Sequence, residues 1–333
     1  MKIAFFEIHD WEIEILKKQL KGHTLKFFKT PLTKESLKEI KDFDIISVFI
    51  YSNVTKEITE GLPNLKLVVT RSTGYNHIDY AFCAKRGIKV CNIPYYGENT
   101  VAEHTFALIL ALSRKIHHSY MKIMANDFSI EELEGFDLKG KTIGVVGTGH
   151  IGSHAIRMAK GFEMNVLAHD YHENKQLAKE LDFRYTNLNE ILKKSDIVTL
   201  HVPFLKENYH MINAKSLKMM KPTALLINTA RGELVDTNAL LKALKENKLA
   251  GAGLDVIEGE SLIKEEKELL HGNHRKEMQR IAEDLALIRN EKVVFTPHIA
   301  FYSIEALHRI LNTTIDNINA FIKNKPINLV KNV

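Results

Sequence analysis

The sequence predicts an α/β protein in which parallel sheets are connected by helices. Short apolar runs rich in Val and Ile alternate with amphipathic helical patterns along most of the chain. A glycine-rich turn, Gly147–Gly152, joins one of these runs to a helical pattern. Because parallel strands need a long crossover connection, this alternation favours parallel sheets over an all-helical or all-strand fold.

The first series of elements occupies about one hundred residues. Helical patterns occur at Trp11–Leu20 and Lys34–Ile40. The strands that alternate with them are predicted at Ile3–Ile8, Ile45–Ile50, Lys66–Thr70 and Ile88–Cys91. These elements predict one small α/β unit.

A second series follows and has the strand count and order of a doubly wound nucleotide-binding sheet. Its predicted strands are Thr142–Val146, Asn165–Ala168, Ile197–Leu200, Ala224–Asn228, Gly251–Leu254 and Val293–Thr296. The helical pattern Asn99–Met124 lies between the two series, and Ser303–Ile322 forms a final helix that we expect to pack on the first unit. We therefore expect residues 1–98 and 299–333 to form a discontinuous outer domain around residues 99–298, with hinges near Asn99 and Pro297. The charged segment Glu260–Asn290 is interpreted as a helical insertion.

Composition excludes several classes of protein. The chain has 333 residues, 45% of them apolar and 26% charged, which is typical of a folded globular protein of about two domains. The net charge of +5 comes from scattered basic residues, so no nucleic-acid partner is expected. Met1–Phe6 is too short for a signal peptide and Thr105–Ser113 is too short for a membrane span, so we expect a cytoplasmic protein without a membrane partner. Cys83 and Cys91 lack metal-ligand spacing, and we expect no metal and two buried thiols.

The turn Gly147-Thr-Gly-His-Ile-Gly152 is a G-x-G-x-x-G motif preceded by a predicted strand and followed by a helix. Gly147 permits the tight turn, Gly149 lets a ligand approach the backbone, and Gly152 allows close packing of helix on strand. The phosphates of a dinucleotide would then lie at the positive end of the helix dipole. This context predicts a dinucleotide-binding turn.

Asp170 follows the next predicted strand, where a carboxylate can accept hydrogen bonds from ribose hydroxyls and repel a 2′-phosphate. Residues 171–174 contain no Arg or Lys that could bind such a phosphate. The sequence therefore predicts NAD in preference to NADP, the alternative for Asp170 being a solvated loop acid.

Three further polar residues follow predicted strands, at the edge where open α/β sheets bind ligands. Arg231 could hold a carboxylate with its planar fork, although alone it could be a surface cation. His298 is a candidate acid/base because histidine is the residue type suited to proton exchange near neutral pH, but it is one of 16 histidines. Glu260 could orient that imidazole or could be a solvated acid. Together these three residues predict hydride transfer from NADH to a 2-oxo acid. The Thr73-Gly74 loop of the first unit either supplies backbone N–H groups to the carboxylate of that acid or is only a turn.

Taken in order along the chain, these motifs identify a resemblance to a known family. The matching stretches are Arg71–Asp79 (RSTGYNHID), Val101–His104 (VAEH), Thr142–Gly152 (TIGVVGTGHIG), His201–Pro203 (HVP), Asn228–Asp236 (NTARGELVD), Gly253–Val256 (GLDV) and Thr296–His298 (TPH). Over essentially its whole length the chain resembles the D-isomer-specific 2-hydroxyacid dehydrogenases, with the D-lactate dehydrogenases as the most similar branch. The resemblance implies a Rossmann NAD-binding domain inserted in a flavodoxin-like substrate domain, with substrate bound between them.

The resemblance implies roles for particular residues. Arg231, Glu260 and His298 would be the catalytic set. Beyond the glycines of the turn, the implied cofactor contacts are His150, Ile151, Asp170, Val202, Pro203, Asn208, Thr229, Ala230, Arg231 and Asp255. The implied substrate contacts are Thr73, Gly74, Tyr96, Arg231 and His298, with Tyr51 as a further wall of the site.

The resemblance leaves the substrate open. The segment Ile299–Tyr302 and Tyr96 are similar to the D-lactate and D-hydroxyisocaproate branches, which implies pyruvate and D-lactate or, alternatively, bulkier 2-oxo acids such as 2-oxoisocaproate or phenylpyruvate. Thr73 and Asn76 depart from the residues usual in the family, which could shift substrate preference. A different class, an NAD-responsive binding protein, is disfavoured by the intact catalytic set. A homodimer is expected through the Asn99–Met124 helix.

Overall fold

The computed structural model describes residues 1–259 and 275–330, with residues 275–280 described by their backbone alone. The chain forms two compact units. One contains the described residues of Met1–Tyr96 and Ser303–Val333, and the other contains those of Gly97–Tyr302. The division therefore falls a few residues from the domain boundaries expected at 98/99 and 298/299.

The two units alternate strands and helices along the chain. The strands are β1 (Lys2–Phe5), β2 (Thr24–Phe27), β3 (Ile45–Val48), β4 (Leu67–Thr70), β5 (Lys89–Cys91), β6 (Thr142–Val146), β7 (Asn165–His169), β8 (Arg184–Tyr185), β9 (Ile197–Leu200), β10 (Leu225–Asn228), β11 (Gly251–Leu254) and β12 (Val293–Phe295). The α-helices are α1 (Asp10–Gln19), α2 (Leu37–Ile40), α3 (Lys56–Glu60), α4 (Tyr80–Lys85), α5 (Glu98–Ser113), α6 (Ile116–Met124), α7 (His150–Gly161), α8 (Lys175–Glu180), α9 (Leu188–Lys194), α10 (Ala214–Leu217), α11 (Thr237–Lys245), α12 (Arg275–Ile288) and α13 (Ile304–Ile322).

The first unit is a five-stranded parallel sheet in the order β2-β1-β3-β4-β5. This order is the flavodoxin-like arrangement that the resemblance implied. The edge strand β2 was not predicted from the sequence. Only two of its four residues, Leu25 and Phe27, are apolar, and none of the four is fully buried, so it lacks the apolar run by which the other strands were found.

The final helix α13 packs on the first unit, as predicted. Its side chains Leu311, Ile315 and Ile318 belong to the same core cluster as Ile3 and Phe5 of β1. The side chain of Ser303 caps the helix by accepting a hydrogen bond from the backbone N–H of Ala306. The apolar face of α13 therefore packs against β1, so the two ends of the chain belong to one core.

The second unit is a seven-stranded parallel sheet in the order β12-β11-β10-β9-β6-β7-β8. The doubly wound prediction is confirmed, with the two-residue strand β8 added at the edge, too short to give a sequence signal. Successive strands are added on one side of β6 as far as β8 and on its other side from β9 onward, so the strand order reverses between β6 and β9. In open α/β sheets this switch point, at the carboxyl ends of the strands, is where ligands bind.

The helix predicted over Asn99–Met124 is in fact two helices. The break lies at Lys115, whose φ of 54° and ψ of 33° place it in the left-handed region. Helix α5 before the break buries eight of its residues in the second unit, whereas α6 after it buries none. The prediction of one continuous helix is therefore wrong, and the two halves have different surroundings.

Both cysteines are buried in the first unit, as predicted, and burial raises the pKa of each thiol to about 11. In the part of the chain that the structure describes, no helix is long and apolar enough to cross a membrane. The same residues contain no group of three or more His, Cys, Asp or Glu side chains that could hold a metal ion.

Candidate active site

The polar residues singled out in the second unit lie at one edge of its sheet. Each follows the carboxyl end of a strand, and all strands of the sheet run parallel. The loops after β6, β9, β10, β11 and β12 therefore emerge side by side, with the loop after β7 next to that after β6. Parallel pairing brings together residues that are up to 150 positions apart in sequence, from the turn after β6 to the loop after β12.

The glycine turn after β6 has the backbone geometry that its sequence predicts. Gly147 has a φ of +94°, and a Cβ there would lie 2.6 Å from the carbonyl oxygen of His201. A Cβ on Gly152 would lie 2.0 Å from the carbonyl oxygen of Gly147, so helix α7 packs directly on the turn. At Gly149, which is exposed, a Cβ would have no heavy atom within 4 Å. The turn is thus closed on the protein side and open at Gly149.

Helix α7 begins at this open face. Its N-cap is Gly149, which has no side chain to cover the first N–H groups, and His150 and Ile151 form the first two helical positions. His150 is exposed, whereas Ile151 is half-buried and packs on the core. N–H groups at the start of a helix, with its positive dipole end, suit the phosphates of a dinucleotide.

Asp170 follows β7 and is bonded to the same turn. One carboxylate oxygen, Oδ2, accepts hydrogen bonds from the backbone N–H of Thr148 at 2.6 Å and from its hydroxyl at 3.0 Å, and Oδ1 accepts one from the backbone N–H of His172 at 2.9 Å. Burial alone would raise the pKa of Asp170, but these hydrogen bonds outweigh it and the pKa lies below its usual value. A carboxylate accepts about four hydrogen bonds, so this anion can take a further donor.

The loop after β9 lies across the turn from Asp170. Val202 is half-buried and Pro203 is exposed. Asn208 is buried, and its amide closes the loop by donating to the carbonyl of Pro203 at 2.8 Å and accepting from the backbone N–H of Leu205 at 2.8 Å. The side chain of Asn208 therefore shapes this loop.

His201 begins the same loop and was given no role in the sequence reasoning. Burial lowers its pKa to about 4, so the imidazole is neutral at neutral pH. Its Nε2 lies 3.0 Å from the hydroxyl of Thr199. Its position directly after a predicted strand was the available sequence signal.

Arg231 follows β10 in extended conformation and is half-buried. Its Nη1 donates to the carbonyl of Ala230 at 2.6 Å. The buried Asn228 braces this loop from both sides, because its Oδ1 accepts from the backbone N–H of Ala230 at 3.0 Å and its Nδ2 donates to the carbonyl of Arg231 at 2.8 Å. Thr229 is buried between them. Asn228 is a positioning residue that sequence reasoning missed, since an amide at a strand end has no distinctive pattern.

Asp255 follows β11 and is fully buried. Its Oδ1 accepts from the hydroxyl of Thr296 at 2.6 Å and from the backbone N–H of Ile299 at 2.9 Å, and its Oδ2 accepts from the backbone N–H of Ala300 at 2.9 Å. These bonds fix both sides of His298. Although Asp255 was singled out as a cofactor contact, its carboxylate is directed at the loop after β12.

His298 has a backbone φ of +55°, in the left-handed region that few residues other than Gly adopt. Its backbone N–H donates to the carbonyls of Asp255 and Thr296, at 2.9 Å each. A left-handed residue costs about 1–2 kcal/mol. It persists here because the flanking hydrogen bonds to Asp255 determine the loop conformation.

A chain of hydrogen bonds connects the loops of Arg231 and His298. The carbonyl of Arg231 accepts from the amide of Asn228, the carbonyl of Asn228 accepts from the N–H of Asp255, and the carbonyl of Asp255 accepts from the N–H of His298. The structure therefore joins the loops of Arg231 and His298 in one hydrogen-bonded network, with the Asp255 loop after β11 between them. A guanidinium at this edge can hold an anion, and an imidazole at the same edge can exchange a proton.

The remaining predicted residues lie elsewhere. Thr73 and Gly74 are in the loop after β4 of the first unit, where the hydroxyl of Thr73 donates to the carbonyl of Ile93 at 2.8 Å. Tyr96 is half-buried at the end of that unit, and its carbonyl accepts from Arg309 at 2.6 Å. Glu260 lies outside the described residues.

Comparisons with known proteins agree with this arrangement. Residues 106–300 match the model of the NAD-binding domain of the D-isomer-specific 2-hydroxyacid dehydrogenases. A 2-hydroxyacid dehydrogenase homolog of Zymomonas mobilis is 38% identical over 96% of each chain, and a glyoxylate reductase of Thermococcus litoralis is 36% identical over 96% of this chain and 92% of its own. The crystal structure of the Aquifex aeolicus D-lactate dehydrogenase with NAD and lactic acid is 38% identical and superposes over 99% of each chain with a TM-score of 0.85.

Proposed function

Because the chain belongs to the D-isomer-specific 2-hydroxyacid dehydrogenase family and carries that family's NAD-binding domain, we propose that it is a D-lactate dehydrogenase. The reaction would be the reversible conversion of pyruvate and NADH into D-lactate and NAD. The observation that carries the proposal is the hydrogen-bonded network that joins the loops of Arg231 and His298 through Asp255 at one edge of the second unit's sheet.

In the proposed reaction Arg231 binds the carboxylate of the 2-oxo acid and stabilises the negative charge that grows on the carbonyl oxygen. Its guanidinium is permanently charged and planar, which suits both tasks. Asn228 serves this role indirectly, since it fixes the backbone on both sides of Thr229 and Ala230. NADH, when bound, supplies the hydride that reduces the carbonyl carbon.

His298 is the proposed acid/base. Its imidazolium gives a proton to the carbonyl oxygen during reduction and takes it back from the hydroxyl during oxidation. The left-handed backbone conformation of His298 determines the direction in which its side chain leaves the loop. The hydrogen bonds from Ile299 and Ala300 to Asp255 maintain that conformation. The support of Glu260 for this imidazole stays a prediction.

The proposed cofactor contacts are of two kinds. The open face at Gly149 and the start of α7 would hold the pyrophosphate, and the Asp170 carboxylate would accept a ribose hydroxyl. His150, Ile151, Val202, Pro203, Thr229 and Ala230 stay predicted contacts at the same edge. Asn208 and Asp255 would act mainly by shaping loops, because their polar atoms are bonded to the protein backbone.

Similarity to the Aquifex aeolicus enzyme, whose structure holds lactic acid, supports pyruvate as the substrate. The relative named as a glyoxylate reductase and the aromatic segment after His298 support two alternatives, a smaller and a bulkier 2-oxo acid. Thr73, Gly74, Tyr96 and Tyr51 stay the predicted substrate contacts in the first unit. The cytoplasmic location also stays a prediction.

A substrate panel tests the proposal. With NADH we expect kcat/KM for pyruvate to exceed that for 2-oxoisocaproate, phenylpyruvate, hydroxypyruvate and glyoxylate by at least ~10-fold, since one misfitting group in a pocket changes discrimination by that order. Chiral analysis should find D-lactate. A higher kcat/KM for another 2-oxo acid would identify that acid, instead of pyruvate, as the substrate. L-lactate would contradict the proposed stereochemistry, and absence of turnover with all five acids would favour the NAD-responsive binding protein.

We also propose that the chain forms a homodimer through α6 and the segment that follows it. Six large apolar side chains there are between 57% and 85% exposed in the monomer, namely Ile116, Tyr120, Met121, Met124, Phe128 and Ile130. Apolar surface of this extent on one segment is typical of an interface with a second copy. The interface expected along all of Asn99–Met124 is therefore proposed only for α6 and the segment after it, because α5 buries its apolar residues inside its own unit.

Light scattering after size-exclusion chromatography should give twice the mass of one chain. The variant Met121→Glu should shift the mass toward that of one chain, because a carboxylate buried at the interface would be unpaired. Ile304→Glu is the matched control, since Ile304 is 73% exposed at the start of α13 in the other unit. A wild-type protein that stays monomeric at micromolar concentration would contradict the proposed dimer.

A further inference from the structure

His104 lies on α5 and is absent from the site described so far. Its Nε2 is 2.9 Å from the hydroxyl oxygen of Thr296 and 3.5 Å from Oδ1 of Asp255. The side chain is 19% exposed. Helix α5 therefore contacts the loop that carries His298 through this side chain.

The hydrogen-bonding capacity of the three groups determines which atom carries each proton. Asp255 is an acceptor only when ionised, so the single hydroxyl proton of Thr296 is donated to its Oδ1 at 2.6 Å. The hydroxyl oxygen of Thr296 must then accept from His104. Nε2 of His104 is consequently the protonated nitrogen, and a neutral imidazole has Nδ1 as its acceptor.

This order of donors extends to the reacting group. Asp255, oriented by Thr296, accepts the backbone N–H groups of Ile299 and Ala300, which follow His298 directly. Without a donor from His104, the Thr296 hydroxyl is free to rotate away from Asp255. The carboxylate would then hold the left-handed conformation of His298 less firmly.

The next residue of α5 makes a similar contact with the other loop. The hydroxyl of Thr105 donates to the carbonyl of Val101 at 2.9 Å, so the Thr229 hydroxyl, at 3.0 Å, is the donor to Thr105. Thr229 precedes Ala230 and Arg231. One turn of α5 thus contacts both loops of the Arg231–His298 network.

We propose that His104 is a positioning residue for the reaction, acting through Thr296 and Asp255 as the Nε2–H donor that fixes the loop of His298. It touches neither substrate nor cofactor in this proposal. The inference rests on the proposed role of His298. It adds a residue outside the strand-end loops whose effect should appear in kcat rather than in NADH binding.

The first test is a pair of variants at His104. His104→Leu keeps the volume and removes the donor, and should lower kcat roughly 5- to 100-fold while the Kd for NADH changes less than about threefold, as expected when a buried polar group loses its partner. His104→Gln places an amide N–H near the position of Nε2 and should restore kcat to within about threefold of wild type. Equal losses in both variants at unchanged Tm, or no loss in His104→Leu, would overturn the proposal. Glu103→Gln, at the adjacent exposed position, is the control.

The second test asks whether His104 acts through Thr296. Thr296→Val should lower kcat and Thr296→Ser should retain it. The double variant His104→Leu, Thr296→Val should be no slower than Thr296→Val alone, because the first change then removes nothing further. Losses that multiply would show that His104 acts by another route and would overturn the proposal. If His104→Leu does not fold, the comparison of Thr296→Val with Thr296→Ser still shows whether kcat depends on the hydroxyl group that lies between His104 and Asp255.

A readout without turnover separates this inference from the proposed function. Nitrogen-15 NMR of the imidazoles, with His104→Gln to assign the signal, should show a proton on Nε2 of His104 in the wild type. An unprotonated Nε2 would overturn the inference even if the enzyme reduces pyruvate. A protonated Nε2 with no turnover of any 2-oxo acid would support the network and contradict the proposed function.

Discussion

Replacing His298 by Asn should lower kcat for pyruvate reduction by at least ~10²-fold, the usual contribution of a positioned acid/base. Asn is chosen as the replacement because of the backbone conformation at this position. Like His, it tolerates the left-handed region, where the φ of His298 is +55°, so the loop should keep its conformation. The amide does not titrate and cannot give a proton to the carbonyl oxygen. Steady-state NADH oxidation with pyruvate, together with a Kd for NADH near that of wild type, measures the effect.

His298→Ala provides the comparison. Its kcat should fall by the same factor as that of His298→Asn. Its free energy of unfolding should also fall by about 1 kcal/mol, because the left-handed conformation is unfavourable for Ala. His23→Ala is a matched control, since the His23 side chain contacts the N-terminal amine of the first unit. If kcat of His298→Asn stayed near that of wild type, His298 would not be the acid/base.

Replacing Asp170 by Ala should lower kcat/KM for NADH and reduce the preference for NADH over NADPH, each by roughly 10- to 10²-fold. Two losses combine. The ribose hydroxyl loses a charged acceptor, which contributes about 1.5–3 kcal/mol, and a 2′-phosphate no longer meets a carboxylate. The Thr148 N–H and hydroxyl also lose their acceptor, so the glycine turn itself becomes less well defined. Initial rates with both cofactors at saturating pyruvate measure the preference.

Asp182→Ala is the control for charge, because Asp182 is an exposed acid paired with Lys160 at 2.7 Å in the same unit. It should leave the cofactor preference unchanged. Asp170→Asn should lie between wild type and Asp170→Ala, since the amide oxygen can still accept from Thr148. A wild-type enzyme that uses NADPH as well as NADH would contradict the role given to Asp170.

The pattern of apolar runs predicted most of the fold because parallel strands buried on both faces need such runs. The strands β3, β4, β6, β9, β10 and β11 are fully or almost fully buried, and all were predicted. The edge strand β2 is only partly buried and carries no such run, and β8 has two residues. β2 and β8 are defined mainly by backbone pairing with a neighbour, which local sequence does not report, whereas the edge strands β5 and β12 were predicted from their apolar residues.

The break at Lys115 was likewise invisible in the sequence. A lysine in the left-handed region has no residue signal comparable to Gly, and the helical pattern continues on both sides. Tertiary packing decides it, because α5 is held against the sheet while α6 has no buried residue. The expected dimer surface moved to α6 for the same reason.

Much of the candidate site followed from residue type and position. The glycine turn, Asp170, Arg231 and His298 each follow a strand, and the chemistry of these residues at that edge predicts hydride transfer with NAD. The supporting residues were not available in this way. Thr296 and His104 make hydrogen bonds to residues distant in sequence, whereas Asn228 holds the loop that directly follows it, and none of these bonds produces a periodic sequence pattern.

The sequence by itself thus determined the α/β class, the dinucleotide-binding turn and the types of the reacting side chains, because these depend on local pattern and chemistry. Only the tertiary structure decided that Asp255 is directed at the loop of His298, that His298 is held in the left-handed region, and that His104 contacts Thr296 of the same loop. The physical reason is that the direction and protonation of a buried polar group depend on the partners that folding places around it.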